Sequence, residues 1–479
     1  MRTIRTMPFF LIIGAAFVAV FGLRHALVDD GFIFLRVADN LMRGNGWTYN
    51  LGEQSNPCTS FLFPLLLAGL RLMGLSGENS LLVAYASGMA LLGCVLFAMF
   101  REHRPGLGLV IALTAMFEST LLQAVGMETS CFVGTIFLCA WAVERQWWGR
   151  AGAFAALGSL FRPDGLALFA ILLGYTWCGR VAGPRLWAST RACCSFIAVM
   201  LPLLGIVILL GGDLIPSSIG VKMAQSRIGW WATRRPWLIA WLRFRPAPEV
   251  TIPLAFWFLI RKYLLRQQVG LTFAMIFAIT QMAVYTAISA PEAYFWYFTP
   301  SFVAFNLSAL LGGIEVFELA KRKLTKMLGR APTAPHATHE RNWTLCGLGL
   351  AALYGSAGVL LQPPYYNSHD YKTVANWLAL HSNPTDRIAC AEIGYIGYIS
   401  QLKIIDMHGL IHPSALSLIK KGNASWWFQA HQPEWIVAHD PPWGGEPGPE
   451  FGADDWAMFQ ERYSAAFQSG KIVVWGQRR

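Results

Sequence analysis

Long apolar runs alternate with short clusters of basic residues through the first three quarters of the chain. A run of about 17–25 apolar residues is long enough to cross a bilayer as a helix. The pattern predicts eleven spans, at residues 7–28, 79–100, 107–125, 129–145, 150–161, 164–179, 193–211, 248–261, 268–289, 297–318 and 343–361. The shortest runs predict helices that tilt or lie inside the bundle. We therefore expect a polytopic α-helical membrane protein of about eleven transmembrane helices.

The basic clusters predict the orientation of these spans, because Lys and Arg are enriched in cytoplasmic loops. The clusters lie at residues 2–5, 101–104, 145–150, 180–191, 261–266 and 321–326. If these loops are cytoplasmic, the N-terminus is cytoplasmic and the C-terminal region is periplasmic or extracellular. No small-residue cleavage site closes the first apolar run, which is therefore interpreted as a retained anchor. The predicted location is the cell inner (plasma) membrane, with multiple passes.

Residues 29–78 form the first predicted outer loop. Phe32, Leu35 and Ala38 recur at helical spacing with polar residues between them, which predicts a first amphipathic helix. Residues 61–73 are hydrophobic but too short to cross the membrane, so we expect a second helix that lies along its outer surface. The loop therefore predicts two membrane-parallel helices within a transmembrane domain of residues 1–361.

After residue 361 the composition changes, and no remaining run is long enough to span a membrane. Hydrophobic periodicity predicts a helix at residues 371–381 and short strands at 387–391, 403–406, 434–438 and 471–475. Residues 362–479 are therefore expected to form a small extracytoplasmic α/β domain. The segment 329–342 reads as a polar cytoplasmic linker.

Composition and charge exclude several function classes. Hydrophobic residues make up 55% of the chain and charged residues 14%, with a formal net charge of +11. The basic residues lie between apolar runs rather than on one soluble face, so nucleic acid is not an expected partner. The nine cysteines imply no disulfide framework. P-loop, GxSxG and HExxH patterns are missing, so nucleotide hydrolysis and the common hydrolase and zincin sites have no sequence support.

Two adjacent carboxylates, Asp29 and Asp30, follow the first span directly. Ionisable side chains at a membrane boundary are costly, and two neighbouring carboxylates repel each other, so their presence suggests a chemical role. The alternative is structural: Asp30 caps the next helix while Asp29 faces lipid headgroups. We favour the chemical role, because one helix cap does not explain two acids.

A series of short motifs follows in order along nearly the whole chain. They read DDGFI at 29–33 with Arg36 and Asn40, GNGWTYN at 44–50, GE at 52–53, GMET at 126–129, RPDG at 162–165, GDLIP at 212–216 with Lys222, and EIGYIGY at 392–398 with Asp406. The ordered series resembles the C-type membrane glycosyltransferases. It is similar to the branch that contains the mycobacterial terminal arabinofuranosyltransferases and bacterial enzymes that glycosylate pilins.

Two positions depart from that branch. The segment 56–60 reads NPCTS, where an aromatic residue more often precedes the threonine, and Ser217 and Ser218 replace a common asparagine-threonine pair. These departures leave the donor and acceptor preference open.

The resemblance implies that a sugar moves from a polyprenyl phosphate to an acceptor outside the membrane. Such a reaction needs a base for the acceptor hydroxyl and cations for the departing phosphate. One of Asp29 and Asp30 is the candidate base, and the other could orient the acceptor or bind a divalent cation. The implied donor sugar is a pentose such as arabinofuranose, and the acceptor a glycan, a lipid-linked polysaccharide or a surface protein such as pilin.

Basic residues that the predicted topology places outside are the candidate phosphate ligands. They are Arg162, Lys222, Arg234 and Arg235. Arginine can hold a phosphate through two parallel hydrogen bonds, whereas lysine acts as a point charge. Binding to anionic lipid headgroups is the alternative explanation for this charge.

Further residues are candidates for cavity or acceptor contacts: Glu128, Asn56, Thr59, Tyr297, Glu392 and His408. Tyr297 belongs to an aromatic run, residues 294–298, for which an interfacial belt is the default interpretation over sugar stacking. His408 and His412 lie near Asp406, but their spacing is loose for a metal site, so a structural or acceptor role is preferred.

The competing function class is a lipid-linked sugar transporter or flippase. Transporters tend to have paired halves and charges near the bilayer midplane. In this chain the candidate polar residues gather at the predicted outer boundary, and the halves do not match. We therefore favour a transferase.

Overall fold

The structure is a computed structural model. It describes residues 2–53, 55–101, 104–178, 183–228, 237–244, 247–265, 268–288, 294–328 and 368–478. The predicted linker 329–342 and the predicted span 343–361 lie outside the described residues.

Helices dominate the chain up to residue 328. They are α1 (Arg2–Gly22), α2 (Asp29–Met42), α3 (Leu62–Leu72), α4 (Gly77–Phe100), α5 (Pro105–Met116), α6 (Ser119–Gln123), α7 (Thr129–Glu144), α8 (Trp148–Phe161), α9 (Gly165–Cys178), α10 (Arg185–Leu209), α11 (Ser217–Ile228), α12 (Trp237–Phe244), α13 (Pro248–Leu265), α14 (Val269–Ala287) and α15 (Thr299–Met327). Each of the first ten predicted spans coincides with one or two of these helices. The two predicted helices of the first outer loop are present as α2 and α3.

Four of the described helices, α4, α10, α14 and α15, are long and apolar enough to cross a membrane. Shorter apolar helices pack with them, including α5, α7 and α9. The predicted span 107–125 is broken into α5 and α6, because the Glu118 carboxylate accepts hydrogen bonds from the backbone N–H groups of Thr120 and Leu121 and starts a new helix. The fold is that of a polytopic membrane protein, as the sequence predicts.

Small residues allow close helix packing within the bundle. A Cβ atom at Gly152 on α8 would overlap the backbone of Ala192 on α10, and one at Gly312 on α15 would overlap that of Leu254 on α13. Contacts of this kind are typical of membrane bundles, where van der Waals packing rather than the hydrophobic effect holds helices together.

The C-terminal region is a small α/β domain. Its helices are α16 (Ser368–His381), α17 (Ile393–Ser400), α18 (Leu416–Ile419), α19 (Trp426–His431) and α20 (Ala453–Arg462), and its strands are β1 (Arg387–Cys390), β2 (Lys403–Asp406), β3 (Trp435–His439), β4 (Tyr463–Ser469) and β5 (Ile472–Gln477). The strand order is β2-β1-β3-β5-β4, with β1 parallel to β2 and β3, and β5 antiparallel to β3 and β4. Of the five described strands the sequence missed β4, whose serine and alanine residues give weak alternation. Of the five described helices of this domain it predicted α16 alone.

Buried polar side chains join this domain to the segment 29–78, the first predicted outer loop. Arg36 on α2 donates to the backbone oxygens of Gly397 and Leu402, at 2.6 and 2.8 Å. The Asn50 amide bonds both backbone groups of Ile404, at 2.8 and 3.1 Å, and so pairs with the edge of β2. These bonds satisfy backbone groups that would otherwise be buried without partners. The C-terminal domain therefore has a defined position over α2.

Candidate active site

Asp29 forms the contact between α2 and the first turn of α17. Its two carboxylate oxygens accept hydrogen bonds from the backbone N–H groups of Gly394 and Tyr395, each at 2.7 Å. A carboxylate at a helix N-terminus is stabilised by the unpaired N–H groups and the helix dipole. Burial raises the pKa of Asp29 to about 6, partly offset by the bond from Tyr395. Asp29 therefore acts as an N-terminal cap for a helix of the other domain.

Asp30 faces a different environment from Asp29. Successive residues on an α-helix point about 100° apart, so the two side chains meet different neighbours, although single oxygens of the two carboxylates lie within 4.8 Å of each other. Asp30 lines a cavity, and its Oδ2 lies 3.7 Å from Nζ of Lys222 on α11. The same Nζ lies 4.2 Å from the centre of the Tyr294 ring. A carboxylate and a cation are thus placed side by side at one cavity wall.

The centre of a water-sized sphere can occupy about 20 Å³ of the cavity. Its wall comes from α2, the loop before α3, the turn before α7, α11, the aromatic segment before α15 and one loop of the C-terminal domain. The lining residues are Asp30, Ile33, Phe34, Pro57, Thr59, Met127, Glu128, Ser218, Lys222, Trp296, Tyr297 and Leu410. The cavity wall thus combines acidic, hydroxyl, cationic and aromatic groups. This combination suits a ligand that has both polar groups and an apolar face.

Glu128 is buried at the cavity wall and forms an ion pair with Arg162. The guanidinium lies 3.4 Å from Glu128 Oε1 and 3.4 Å from an oxygen of Asp164. It also lies over the Tyr297 ring at 4.7 Å. Burial raises the pKa of Glu128, while the charge of Arg162 lowers it. Arg162 is itself 2% exposed and does not line the cavity, but it contacts two residues that do, Glu128 and Tyr297.

Glu392 precedes α17 and brings a third carboxylate to the cluster. Single oxygens of Asp29, Asp30 and Glu392 all lie within 4.8 Å of one another. Burial raises the pKa of Glu392 strongly, and the charges of Asp29 and Asp30 raise it further. Three carboxylate oxygens are suitable ligands for a hard divalent cation. Without a cation, the crowding favours a proton on Glu392.

Asn56 and His408 lie off the cavity wall, as the candidates Asp29, Arg162 and Glu392 do, and both have structural contacts. The Asn56 amide accepts from Trp47 Nε1 at 2.9 Å and donates to the Asp213 carbonyl at 2.6 Å. The His408 ring bonds the Gly444 carbonyl at 2.8 Å. Both side chains hold loops that border the cavity. Arg234 and Arg235 lie outside the described residues.

The comparisons with known proteins cover both the whole chain and its C-terminal part. Residues 363–475 match a family described as a domain of unknown function, DUF8728. No curated protein sequence matches the chain. The structure of ArnT from Cupriavidus metallidurans in the apo state is similar over 97% of this chain and 97% of that chain, with a TM-score of 0.53 and 14% identity. This chain therefore has the fold of the C-type membrane glycosyltransferases.

A second structure, the arabinofuranosyltransferase AftD from Mycobacteria, aligns with 99% of this chain and 40% of that chain. The TM-score is 0.47 and the identity 12%. In this chain, residues of the loop 29–78 and of the C-terminal domain meet at the cavity described above.

Seven of the twelve lining residues were not singled out as site residues by the sequence: Ile33, Phe34, Pro57, Met127, Ser218, Trp296 and Leu410. Ser218 lies next to a motif but appeared only as a departure from the branch pattern. Trp296 belongs to the aromatic run, whose default interpretation was a membrane belt. Leu410 gave no signal, because its place on the wall depends on how the loop after β2 packs against α11, where Gln225 donates to the His408 carbonyl at 2.8 Å.

Proposed function

We propose that the protein is a membrane glycosyltransferase that moves a sugar from a polyprenyl phosphate to an extracytoplasmic acceptor. The sugar that we favour is arabinofuranose. The acceptor is a glycan, a lipid-linked polysaccharide or a surface protein such as pilin. One observation carries the proposal: Asp30 and Lys222 stand 3.7 Å apart on the wall of one cavity. A base and a cation are the two groups that sugar transfer from a phosphate requires.

The reaction assigns a separate role to each of these groups. The acceptor oxygen attacks the anomeric carbon, and Asp30 takes the hydroxyl proton. The bond from the anomeric carbon to the phosphate oxygen breaks, and its electron pair stays on that oxygen. Lys222 stabilises the resulting phosphate charge, together with Arg234 and Arg235 in our proposal. Asp29 and Arg162 are positioning residues, which hold α17 and Glu128 in place.

A divalent cation at the Asp29, Asp30 and Glu392 carboxylates is compatible with this scheme. It would add positive charge near the departing phosphate. We propose no step that depends on it. The chemistry assigned to Asp30 and Lys222 is complete in atoms and charge without a metal ion.

The test uses membranes from cells that express the chain. A radiolabelled polyprenyl-phosphate pentose is added, and transfer of the labelled sugar to an acceptor is measured. Asp30→Asn should lower transfer by roughly 10²–10⁴-fold, because an amide cannot take the proton. Asp454→Asn, which changes an exposed carboxylate of the C-terminal domain, is the matched control and should retain the wild-type rate. Asp29→Asn should reduce transfer together with resistance to proteolysis, because it weakens the cap of α17.

Two outcomes would contradict the proposal. Full transfer by Asp30→Asn would remove Asp30 as the base. If the lipid-linked sugar moves between leaflets without being consumed, and Asp29→Asn and Asp30→Asn move it at the wild-type rate, the transporter hypothesis would be favoured.

A further inference from the structure

Two buried polar atoms at the cavity wall have no hydrogen-bond partner among the described residues. They are Oε2 of Glu128 and Oγ of Ser218, and both residues line the cavity. Glu128 is 2% exposed and Ser218 is 1% exposed. Buried polar atoms in folded proteins are almost always paired, because an unpaired one has lost its hydrogen bonds to water without a replacement. A pair of such atoms on one cavity wall indicates a bound polar ligand.

The Glu128 carboxylate cannot turn freely to find another partner. Its Oε1 faces Arg162, and that guanidinium is in turn held by Asp164 at 3.4 Å and by the Tyr285 hydroxyl at 3.2 Å. Tyr285 also donates to Asp164 at 2.7 Å. This network fixes Oε1 against Arg162 and leaves Oε2 without a partner among the described residues.

The turn that carries Glu128 has a fixed position relative to Asp30. The backbone N–H of Val28 donates to the Val125 carbonyl at 3.0 Å. Gly126 has a φ of +98°, and a Cβ at Gly31 would lie 2.7 Å from its carbonyl oxygen. Glycine is needed at both positions for this close approach. The backbone of the turn that carries Glu128 therefore lies at a fixed position beside the start of α2, which carries Asp30.

The chemistry of the wall selects the kind of group that fits Oε2. A carboxylate only accepts hydrogen bonds, so its partner must donate one. A phosphate oxygen would be repelled by the Glu128 carboxylate and would bind near the Lys222 ammonium group instead. A hydroxyl can donate to Glu128 and also bond Ser218, and the apolar face of a sugar ring can pack on Trp296 or Tyr297. The wall therefore fits a neutral sugar ring.

We infer that Glu128 and Ser218 form a subsite that binds hydroxyl groups of the transferred sugar and so determines which donor is used. The inference rests on the proposed function, and it adds the residues that recognise the sugar. Arg162 is the positioning residue of the subsite. Glu128 accepts a hydrogen bond from one ring hydroxyl, and Ser218 bonds the same or a neighbouring hydroxyl.

The test combines protein variants with donor analogues. A panel of polyprenyl-phosphate pentoses and hexoses first identifies a donor that the wild-type protein consumes. Its monodeoxy analogues are then compared in the wild type, Glu128→Gln and Ser218→Ala. In the wild type, loss of the contacted hydroxyl should lower kcat/KM by at least about tenfold, because a charged acceptor is left unpaired. In Glu128→Gln the ratio of kcat/KM for the full donor to kcat/KM for the same analogue should be severalfold smaller than in the wild type.

Glu118→Gln is the matched control. Glu118 is also 2% exposed, but its carboxylate bonds Thr120 and Leu121 and does not line the cavity. It should keep the wild-type preference among the analogues. A purely structural role of Glu128 would lower all rates without changing that preference, and Ser218→Ala gives an independent measurement if Glu128→Gln folds poorly.

The outcomes separate the two proposals. Transfer by the wild type with equal discrimination in all variants would refute the subsite and leave the transferase standing. No transfer from any donor of the panel would refute the proposed function and the subsite with it.

Discussion

Adjacent identical residues have different environments in this protein. Asp29 is 1% exposed and bonded to two backbone N–H groups of α17, whereas Asp30 faces the cavity and Lys222. A general base must reach a substrate proton, which a carboxylate engaged by two backbone donors does poorly. The geometry therefore favours Asp30 over Asp29 as the base. The alternative that Asp30 caps the helix after it does not apply, because α2 already begins at Asp29.

His412 supplies a prediction about pH. Burial lowers its pKa from 6.5 to about 4, with His431 and Lys403 lowering it and Glu53 raising it. The folded state therefore binds fewer protons than the unfolded state between these values, so stability is full above pH 6.5 and falls as pH drops towards 4. The loss should approach roughly 3 kcal/mol at pH 4. His412→Phe should remove this part of the pH dependence.

The measurement is the unfolding midpoint of the detergent-solubilised protein between pH 7.5 and 4.5. The wild-type midpoint should fall more steeply than that of His412→Phe, and His369→Phe, at an exposed position, is the matched control. Parallel curves for the wild type and His412→Phe would contradict the prediction.

At the scale of elements, the first turn of α17 is built to approach α2 closely. A Cβ at Gly394 would overlap the backbone oxygen of Asp29, and one at Gly397 would overlap the Tyr49 hydroxyl. Tyr49 in turn donates to the Ile393 carbonyl at 2.5 Å. The two glycines of the EIGYIGY motif are thus explained by contact between the domains rather than by backbone strain.

Gly394→Ala should separate α17 from α2. Overpacking of this kind costs roughly 1–3 kcal/mol, and the Asp29 cap would be displaced with it. We expect faster release of the C-terminal domain in limited proteolysis and a loss of transfer activity. Gly452→Ala is the matched control, because nothing lies within 4 Å of the added Cβ. Equal proteolysis of both variants would show that this contact does not hold the domain.

At the scale of the whole molecule, segments far apart in sequence form one site. Asp30, Glu128, Lys222, Tyr297 and Leu410 come from five separate parts of the chain. Under the predicted topology all five lie on the outer side. The cavity is therefore completed only when the C-terminal domain is docked over α2 and α11.

The orientation can be tested with engineered cysteines and a membrane-impermeant maleimide. Lys420→Cys lies on the exposed surface of the C-terminal domain, and Trp147→Cys lies at a predicted cytoplasmic turn, where Trp147 is 37% exposed. We expect labelling of Lys420→Cys in intact cells and of Trp147→Cys only after permeabilisation, because basic loops stay inside. Labelling of the parent chain is the control for native cysteines. The reverse pattern would place the cavity in the cytoplasm.

The positions of helices and strands could be predicted from the sequence because they follow from local patterns. Apolar runs and turn residues located α4, α7 and α10 and four of the five strands. The errors also have local causes: Glu118 breaks a predicted span by capping α6, and β4 alternates too weakly to detect. The ordered motifs indicated the fold, which the comparison with ArnT confirms.

The sequence by itself determined the membrane class, the domain order and the residue types available for chemistry, because hydrophobicity and motif order are properties of the chain. Only the tertiary structure decided which residues share a cavity and which carboxylate stays available. Asp29 is bonded to residues more than 360 positions away, and Glu128 is oriented by Arg162 on another helix boundary. Such contacts depend on the relative placement of distant segments, which no local pattern encodes.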